Sequence, residues 1–94
     1  FIKILDYHLD INRREIAKNK KKLKLTEREV NFLIYLNTIQ KPATINEILS
    51  SVWKYSDMTE THTVETHVHR LRKKFLQTFG DKNTIKNNSR GYYI

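Results

Sequence analysis

The sequence predicts an α+β fold with an antiparallel sheet first, three helices next and a β-hairpin last. Two features carry this prediction. The apolar residues change from a spacing of two to a spacing of three or four at Thr26, and a turn-rich segment separates two short apolar runs near the end of the chain. Because the chain has 94 residues and no cysteine, we expect one domain, residues 1–94, stabilised by packing without disulfides.

Antiparallel strands are predicted over residues 1–25. The apolar residues of this segment recur mostly at even spacing: Ile2, Ile4, Leu9, Ile11, Ile16, Leu23 and Leu25. Alternate residues of a strand point to opposite faces, so this spacing favours a sheet with one buried face. Polar segments at 12–13 and 18–20 mark the turns between strands.

Two helices are predicted after the sheet, and each begins at a capping box. The box formed by Thr26 and Glu29 precedes a helix over about residues 27–40, in which apolar residues repeat at three and four. Pro42 interrupts the helical pattern. The box formed by Thr44 and Glu47 then precedes a second, shorter helix.

A loop, a third helix and a hairpin complete the prediction. Residues 54–60 show no consistent period and predict a loop. The third helix covers roughly residues 61–78, and one apolar stripe marks its buried side: Val64, Val68, Leu71 and Phe75. Gly80 ends this helix, and the turn-rich segment 87–91 predicts the tip of a terminal hairpin.

The charge of the chain predicts a polyanionic partner. The formal net charge is +8 and the isoelectric point is about 9.8, which favours binding to nucleic acid or anionic lipid. The apolar runs are far shorter than the roughly 20 residues of a membrane span, so no membrane partner is expected. Since Phe1 is not an initiator methionine, we expect the chain to be a fragment of a longer protein.

The outer face of the third helix carries the chemistry. At 100° per residue, the side opposite the apolar stripe presents His62, Thr66, His69 and Lys73, with Thr63, Glu65 and Arg70 on its flanks. Arginine can bond guanine O6 and N7 together, a carboxylate can accept from cytosine N4, and a threonine methyl can contact thymine. Arg72, Lys73 and Lys74 add three consecutive cations suited to phosphates. The alternative is a solvated helix whose basic residues complement the helix dipole.

Metal binding and catalysis are disfavoured. His62, Glu65 and His69 share a helical face, but the HExxH spacing is absent and no cysteine or second carboxylate lies nearby. The serines lack the glycine context of a nucleophile elbow, and 2 glycines leave little for a phosphate-binding loop. We therefore expect no enzyme activity, no metal, no cofactor and no small-molecule substrate.

Two further basic features lie outside the third helix. The lysine cluster (Lys18, Lys20, Lys21, Lys22 and Lys24) reads as a solvated hairpin turn that deters edge-to-edge strand pairing. A second phosphate-facing patch or a membrane-surface patch is the alternative for this cluster. Arg90, at the predicted tip of the last hairpin, could enter a narrow minor groove or remain a solvated turn residue.

Three stretches of the sequence resemble the C-terminal effector domain of OmpR/PhoB-type response regulators. They are LTEREVNFLIYL at 25–36, INEILSSVW at 45–53 and TVETHVHRLRKKF at 63–75. The resemblance implies a winged helix-turn-helix with an N-terminal four-stranded sheet and a C-terminal hairpin wing. It also implies that the third helix reads the major groove and that the loop at 54–60 contacts RNA polymerase. The phosphorylatable receiver domain of the family is absent from this chain.

The resemblance assigns most of the outer helix face to nucleic acid and the apolar stripe to the core. The implied contact residues on the helix are His62, Thr63, Glu65, Thr66, His69, Arg70, Arg72 and Lys73. His62 stands where the family usually carries an arginine, so its phosphate contact is expected to depend on pH. Asn88 stands where the family's wing arginine usually lies, two positions before Arg90.

These observations predict the effector domain of a cytoplasmic, sequence-specific transcription regulator. The expected partner is double-stranded DNA, bound by two copies of the domain on adjacent half-sites. A winged-helix protein-interaction module, in which the third helix meets an acidic protein, is the main alternative. A variant that binds RNA is the third.

Overall fold

A computed structural model describes residues 1–53 and 62–94, with His62 described in its backbone only. The order of elements is the predicted one, and the fold is α+β. The strands are β1 (Ile2–Ile4), β2 (Tyr7–Asp10), β3 (Glu15–Lys18), β4 (Lys21–Lys24), β5 (Lys86–Asn88) and β6 (Gly91–Tyr93). The helices are α1 (Glu27–Ile39), α2 (Ile45–Glu47) and α3 (His62–Phe79).

The first four strands form an antiparallel sheet in sequence order, as predicted. Ile2 pairs with Leu9, Leu9 with Ile16, and Ile16 with Leu23, so one apolar row crosses the whole sheet. Leu9 and Ile16, at the centre of this row, are fully buried. The expectation that Ile11 belongs to the buried face is wrong. Strand β2 ends at Asp10, and Ile11 lies in the following turn with 47% of its surface exposed.

The two predicted capping boxes are both present. At the start of α1, the Glu29 backbone N–H donates to Thr26 Oγ1 at 3.2 Å, and the Thr26 N–H donates to Glu29 Oε1 at 2.8 Å. Thr44 and Glu47 exchange the same pair of bonds at the start of α2. These bonds satisfy backbone donors that the first turn of a helix leaves without an intrahelical partner.

The second predicted helix has the expected position but a different hydrogen-bond pattern. After Glu47 the chain continues as a π-helical turn, Ile48–Val52, and the Trp53 N–H donates to the Ile48 carbonyl at 3.0 Å. The Trp53 indole donates to the Arg28 carbonyl at 3.1 Å, which links this turn to α1. The predicted loop at 54–60 lies outside the described residues.

The terminal hairpin, formed by β5 and β6 and called the wing below, is joined at its base to the segment before α2. The Ala43 N–H donates to the Tyr92 carbonyl at 2.8 Å, and the Tyr92 N–H donates to the Ala43 carbonyl at 2.9 Å. Gly91 makes this approach possible, because a Cβ at this position would lie 2.1 Å from the Ala43 carbonyl oxygen. These two bonds therefore fix the base of the wing against the segment before α2.

The sheet is tied to the connection between α3 and the wing by Tyr7 and Asp81. The buried Tyr7 ring packs edge-on against Phe75 and Phe79, and its hydroxyl donates to Asp81 Oδ2 at 2.6 Å. Burial, together with the hydrogen bond to Asp81, raises the pKa of Tyr7 to about 12. No helix in residues 1–53 or 62–94 has the length and hydropathy of a membrane span.

Candidate nucleic-acid interface

Helix α3 separates its residues into a buried side and an exposed side. Val64, Val68, Leu71 and Phe75 are buried, as the apolar stripe predicts. On the opposite side five of the predicted contact residues are exposed: Glu65, Thr66, His69, Arg70 and Lys73. Thr63, on one flank, is half-buried. The fold thus presents a carboxylate, a hydroxyl, an imidazole and two cationic groups along one side of a single helix.

One flank of α3 faces the beginning of α1. The Lys74 ammonium lies 2.7 Å from Glu29 Oε1, the same carboxylate that caps Thr26. Only 7% of the Glu29 side chain is exposed, so Lys74 neutralises a buried charge. The sequence placed Lys74 with Arg72 and Lys73 as a phosphate contact. Its ammonium is instead directed to α1, and we leave Lys74 out of the proposed contacts.

His67 lies on the same flank and is half-buried. Its Nδ1 lies 2.9 Å from the Thr63 carbonyl, which can only accept, so Nδ1 carries the proton. The ring packs against Trp53 at a centroid distance of 5.2 Å. His67 thus lies nearer the apolar side of α3 than His69, which is exposed. His67 thus joins α3 to the end of the π-helical turn.

The other flank of α3 faces the wing, and Arg72 makes the contact. Arg72 Nε donates to the Ile85 carbonyl at 2.9 Å, and Nη2 donates to Asn87 Oδ1 at 2.9 Å. The guanidinium also lies 5.8 Å from the centre of the Tyr92 ring. Arg72 therefore contacts β6, β5 and the residue just before β5.

The tip of the wing carries the two predicted contact residues of that element. Asn88 and Arg90 are both exposed. Asn88 Oδ1 accepts the Arg90 backbone N–H at 2.8 Å, so the Asn88 side chain closes the turn. The Arg90 side chain extends from a turn whose backbone is held by this bond. Asn88 thus shapes the tip, and Arg90 supplies its charge.

Two residues that the sequence reading missed extend the exposed face of α3. Leu76 has 42% of its surface exposed, although it follows Phe75 of the buried apolar stripe. With His69, Arg72, Lys73 and Lys82 it lines a shallow depression of about 230 Å³. Leu76 could have been found by its helical spacing from His69 and Lys73. Lys82 follows the end of the helix, so no periodic signal places it there.

The described residues give no support for a metal centre. Nowhere in residues 1–53 and 63–94 do three or more His, Asp or Glu side chains converge on a point that could hold a metal ion. His69 and Glu65 are exposed neighbours on α3. Their surroundings are basic, which suits an anionic ligand better than a cation.

The sequence and the fold are both similar to those of known transcription regulators. Residues 5–94 match the family described as transcriptional regulatory protein, C terminal. The chain is 39% identical over 71 residues to the transcriptional regulatory protein SrrA of Staphylococcus aureus, covering 71% of this chain and 29% of SrrA. It is 33% identical over 75 residues to the uncharacterized transcriptional regulatory protein YkoG of Bacillus subtilis, covering 79% of this chain and 33% of YkoG.

The DNA-binding domain of Escherichia coli CadC has the same fold. It superposes with a TM-score of 0.84 at 21% identity, covering 98% of this chain and 88% of that one. The present chain spans a third or less of the length of SrrA and of YkoG. Because the family match extends from residue 5 to residue 94, the chain belongs to the family of C-terminal domains of transcriptional regulatory proteins, the OmpR/PhoB-type winged-helix domains that bind DNA.

Proposed function

We propose that residues 1–94 form the effector domain of a cytoplasmic response regulator and bind a specific double-stranded DNA sequence to regulate transcription. The domain acts by binding alone, without catalysis or a cofactor. The observation that carries this proposal is the exposed side of α3, where Thr66, His69, Arg70 and Lys73 project between two anchored flanks. An α-helix fits the major groove of B-form DNA, and these side chains are of the types that bond base edges and phosphates.

Base reading is assigned to the middle of this face. Arg70 is the candidate for a bidentate contact with guanine, because it is exposed on α3 one helical turn after Thr66. Glu65 can accept from a cytosine amino group, and the Thr66 methyl can contact a thymine. Thr63 lies at the edge of the surface and is assigned a phosphate or sugar contact.

Phosphate binding is assigned to the second half of the face. Lys73 and Lys82 are exposed and line the same depression as Leu76, so this region combines two ammonium groups with an exposed apolar side chain. That combination suits a DNA backbone, since phosphates can bind the lysines while a deoxyribose packs on the leucine. Arg90 on the wing is assigned to the adjacent minor groove. His62 is assigned a phosphate contact from the resemblance alone.

Two parts of the proposal concern partners other than one DNA duplex. Effector domains of this kind are expected to bind as two copies on adjacent half-sites. The segment 54–60 is proposed to contact RNA polymerase. Both assignments rest on the resemblance and on the family to which the chain belongs.

Selection from a random pool of duplexes tests the proposal. At moderate salt the protein should bind the enriched duplex far more tightly than random duplex, because specific complexes are typically about 10³ to 10⁷ times tighter than non-specific ones. Its log K should fall with log salt at a slope near −4.5 if about five phosphates are bound at roughly −0.9 each. A protein-interaction module would enrich no sequence. An RNA-binding domain would prefer an RNA competitor to the selected duplex.

A further inference from the structure

Arg72 differs from its basic neighbours in having its guanidinium engaged within the protein. Lys73 and Arg70 are exposed, whereas Arg72 is half-buried between α3 and the wing. Its two hydrogen bonds, to the Ile85 carbonyl and to Asn87 Oδ1, are both 2.9 Å long. Sequence reasoning placed Arg72 among the phosphate contacts, but this geometry commits two of its donor nitrogens to protein acceptors.

The guanidinium suits this position because its donors are held in a rigid planar fork. Nε donates to a backbone carbonyl next to β5, and Nη2 donates to a side chain within β5. The two bonds therefore hold β5 against α3 at two points. The central carbon of the same group, Cζ, lies over the Tyr92 ring in β6, 5.8 Å from the ring centre. A lysine has a single ammonium and cannot make both bonds with this geometry.

The wing is otherwise joined to the body at its base. The paired hydrogen bonds between Ala43 and Tyr92 hold that base. The tip, with Asn88 and Arg90, is exposed at the other end of the hairpin. Glu65 also lies near Tyr92. Burial and the Glu65 carboxylate raise the pKa of the Tyr92 hydroxyl, and Arg72 opposes this shift. Residues two turns apart on α3 thus both approach one residue of the wing.

We propose that Arg72 is a positioning residue, which sets the wing at the distance and angle from α3 that let Arg90 and the exposed face of α3 bind one duplex together. This inference rests on the proposed DNA-binding function. Groups that are already in their bound arrangement lose less conformational entropy on binding, so a wing held by Arg72 binds more tightly than one held only at its base. In this role Arg72 acts through Arg90 and contributes no phosphate contact of its own.

A double-mutant cycle between Arg72 and Arg90 tests the inference. Affinity for the selected duplex is measured for wild type, Arg72→Ala, Arg90→Ala and the double variant at several salt concentrations. We expect Arg72→Ala to weaken binding by about fivefold in wild type and by less than twofold when Arg90 is already absent, since coupled residues are not additive. A direct phosphate contact would instead give equal effects in both backgrounds. It would also lower the salt slope by about 0.9 in each.

Two further variants separate positioning from charge. Asn87→Ala removes the partner of Nη2 and leaves every cation in place, so we expect it to weaken binding in wild type and not in Arg90→Ala. Arg72→Lys keeps the charge but not the fork, and it should behave like Arg72→Ala. Arg13→Ala, which removes an exposed arginine in the turn between β2 and β3, is the matched control and should leave the affinity within twofold.

The outcomes distinguish this inference from the proposed function. If wild type enriches no duplex, the proposed function is wrong and the inference falls with it. If wild type binds specifically but the Arg72 and Arg90 effects add, or Asn87→Ala has no effect, only the inference is overturned. Circular dichroism and thermal melting check that each variant is folded. Asn87→Ala decides the matter if the Arg72 variants do not fold.

Discussion

The ammonium of Lys74 lies 2.7 Å from a Glu29 carboxylate whose side chain is only 7% exposed. The two residues are 45 positions apart, and their contact joins the first turn of α1 to the second half of α3. Glu29 also accepts the Thr26 N–H at 2.8 Å, so one carboxylate closes a helix cap and an ion pair. The contact between α3 and α1 therefore includes a buried Glu29 carboxylate. Removing the Lys74 ammonium would leave that negative charge without its partner and would destabilise the fold.

Lys74→Ala is expected to destabilise the fold and to leave the DNA salt slope unchanged. Removing the ammonium leaves the Glu29 carboxylate buried with one hydrogen bond, which should lower the free energy of unfolding by about 2 kcal/mol. The adjacent Lys73→Ala should do the reverse: stability within about 0.5 kcal/mol and a salt slope smaller by about 0.9. Urea denaturation and salt titrations of binding measure the two quantities. A reduced slope in Lys74→Ala would return Lys74 to the phosphate contacts.

Arg70→Ala should reduce discrimination between DNA sequences. Loss of a bidentate contact with guanine costs about 1 to 3 kcal/mol on the selected duplex and little on random duplex, so the ratio of the two affinities should fall. Arg70→Lys should recover only part of this loss, because an ammonium lacks the planar fork. Competition binding with both duplexes measures the ratio. Equal weakening on both duplexes would make Arg70 a phosphate contact and move base reading to Glu65, Thr66 and His69.

Lys82→Gln should weaken specific and random duplex equally and lower the salt slope by about 0.9, as expected for one lost phosphate contact. The reason is its exposed position beside Leu76 and Lys73. Lys20→Gln, in the turn between β3 and β4, is the control and should leave the slope unchanged. The same titration series measures both variants. If Lys20→Gln also lowers the slope, the lysine cluster is a second phosphate patch.

Tyr7→Phe should cost about 1.5 to 3 kcal/mol at neutral pH, the usual range for a hydrogen bond to a charged acceptor. Its difference from wild type should shrink at high pH. The folded pKa of Tyr7 is raised from 10.0 to about 12, so the unfolded chain loses this proton first. The stabilisation is complete below pH 10 and is lost as the pH rises towards 12. Denaturation of both proteins from pH 8 to 11.5 measures it, and parallel curves would contradict the assignment.

Gly91→Ala should be far more damaging than Gly80→Ala. At Gly91 a Cβ would lie 2.1 Å from the Ala43 carbonyl oxygen and φ is +139°, whereas at Gly80 φ is +70° and no atom lies within 4 Å. We expect Gly91→Ala to cost about 2 to 4 kcal/mol through overlap and backbone strain, and Gly80→Ala about 1 kcal/mol. Thermal melts compare the two variants. Similar losses would mean that the wing base can move away from Ala43.

The sequence by itself determined the features that depend on local geometry. The two capping boxes, the buried stripe of α3 and the alternation along the first strands follow from spacings of three, four and two residues, and the structure contains all of them. The exposed side of α3 follows in turn from its buried stripe. Local spacing could not distinguish an α-helical from a π-helical bond after Glu47, and it extended the apolar alternation to Ile11, one residue beyond the end of β2.

Only the tertiary structure decided what the neighbouring cations of α3 do. Arg72, Lys73 and Lys74 are consecutive and basic, so a charge pattern treats them alike. Successive residues of a helix are rotated by 100°, however, and this turns Arg72 towards the wing, Lys73 towards solvent and Lys74 towards α1. Their partners, Asn87 and Glu29, lie 15 and 45 residues away. Such contacts arise from the packing of distant segments, and no local pattern in the sequence encodes them.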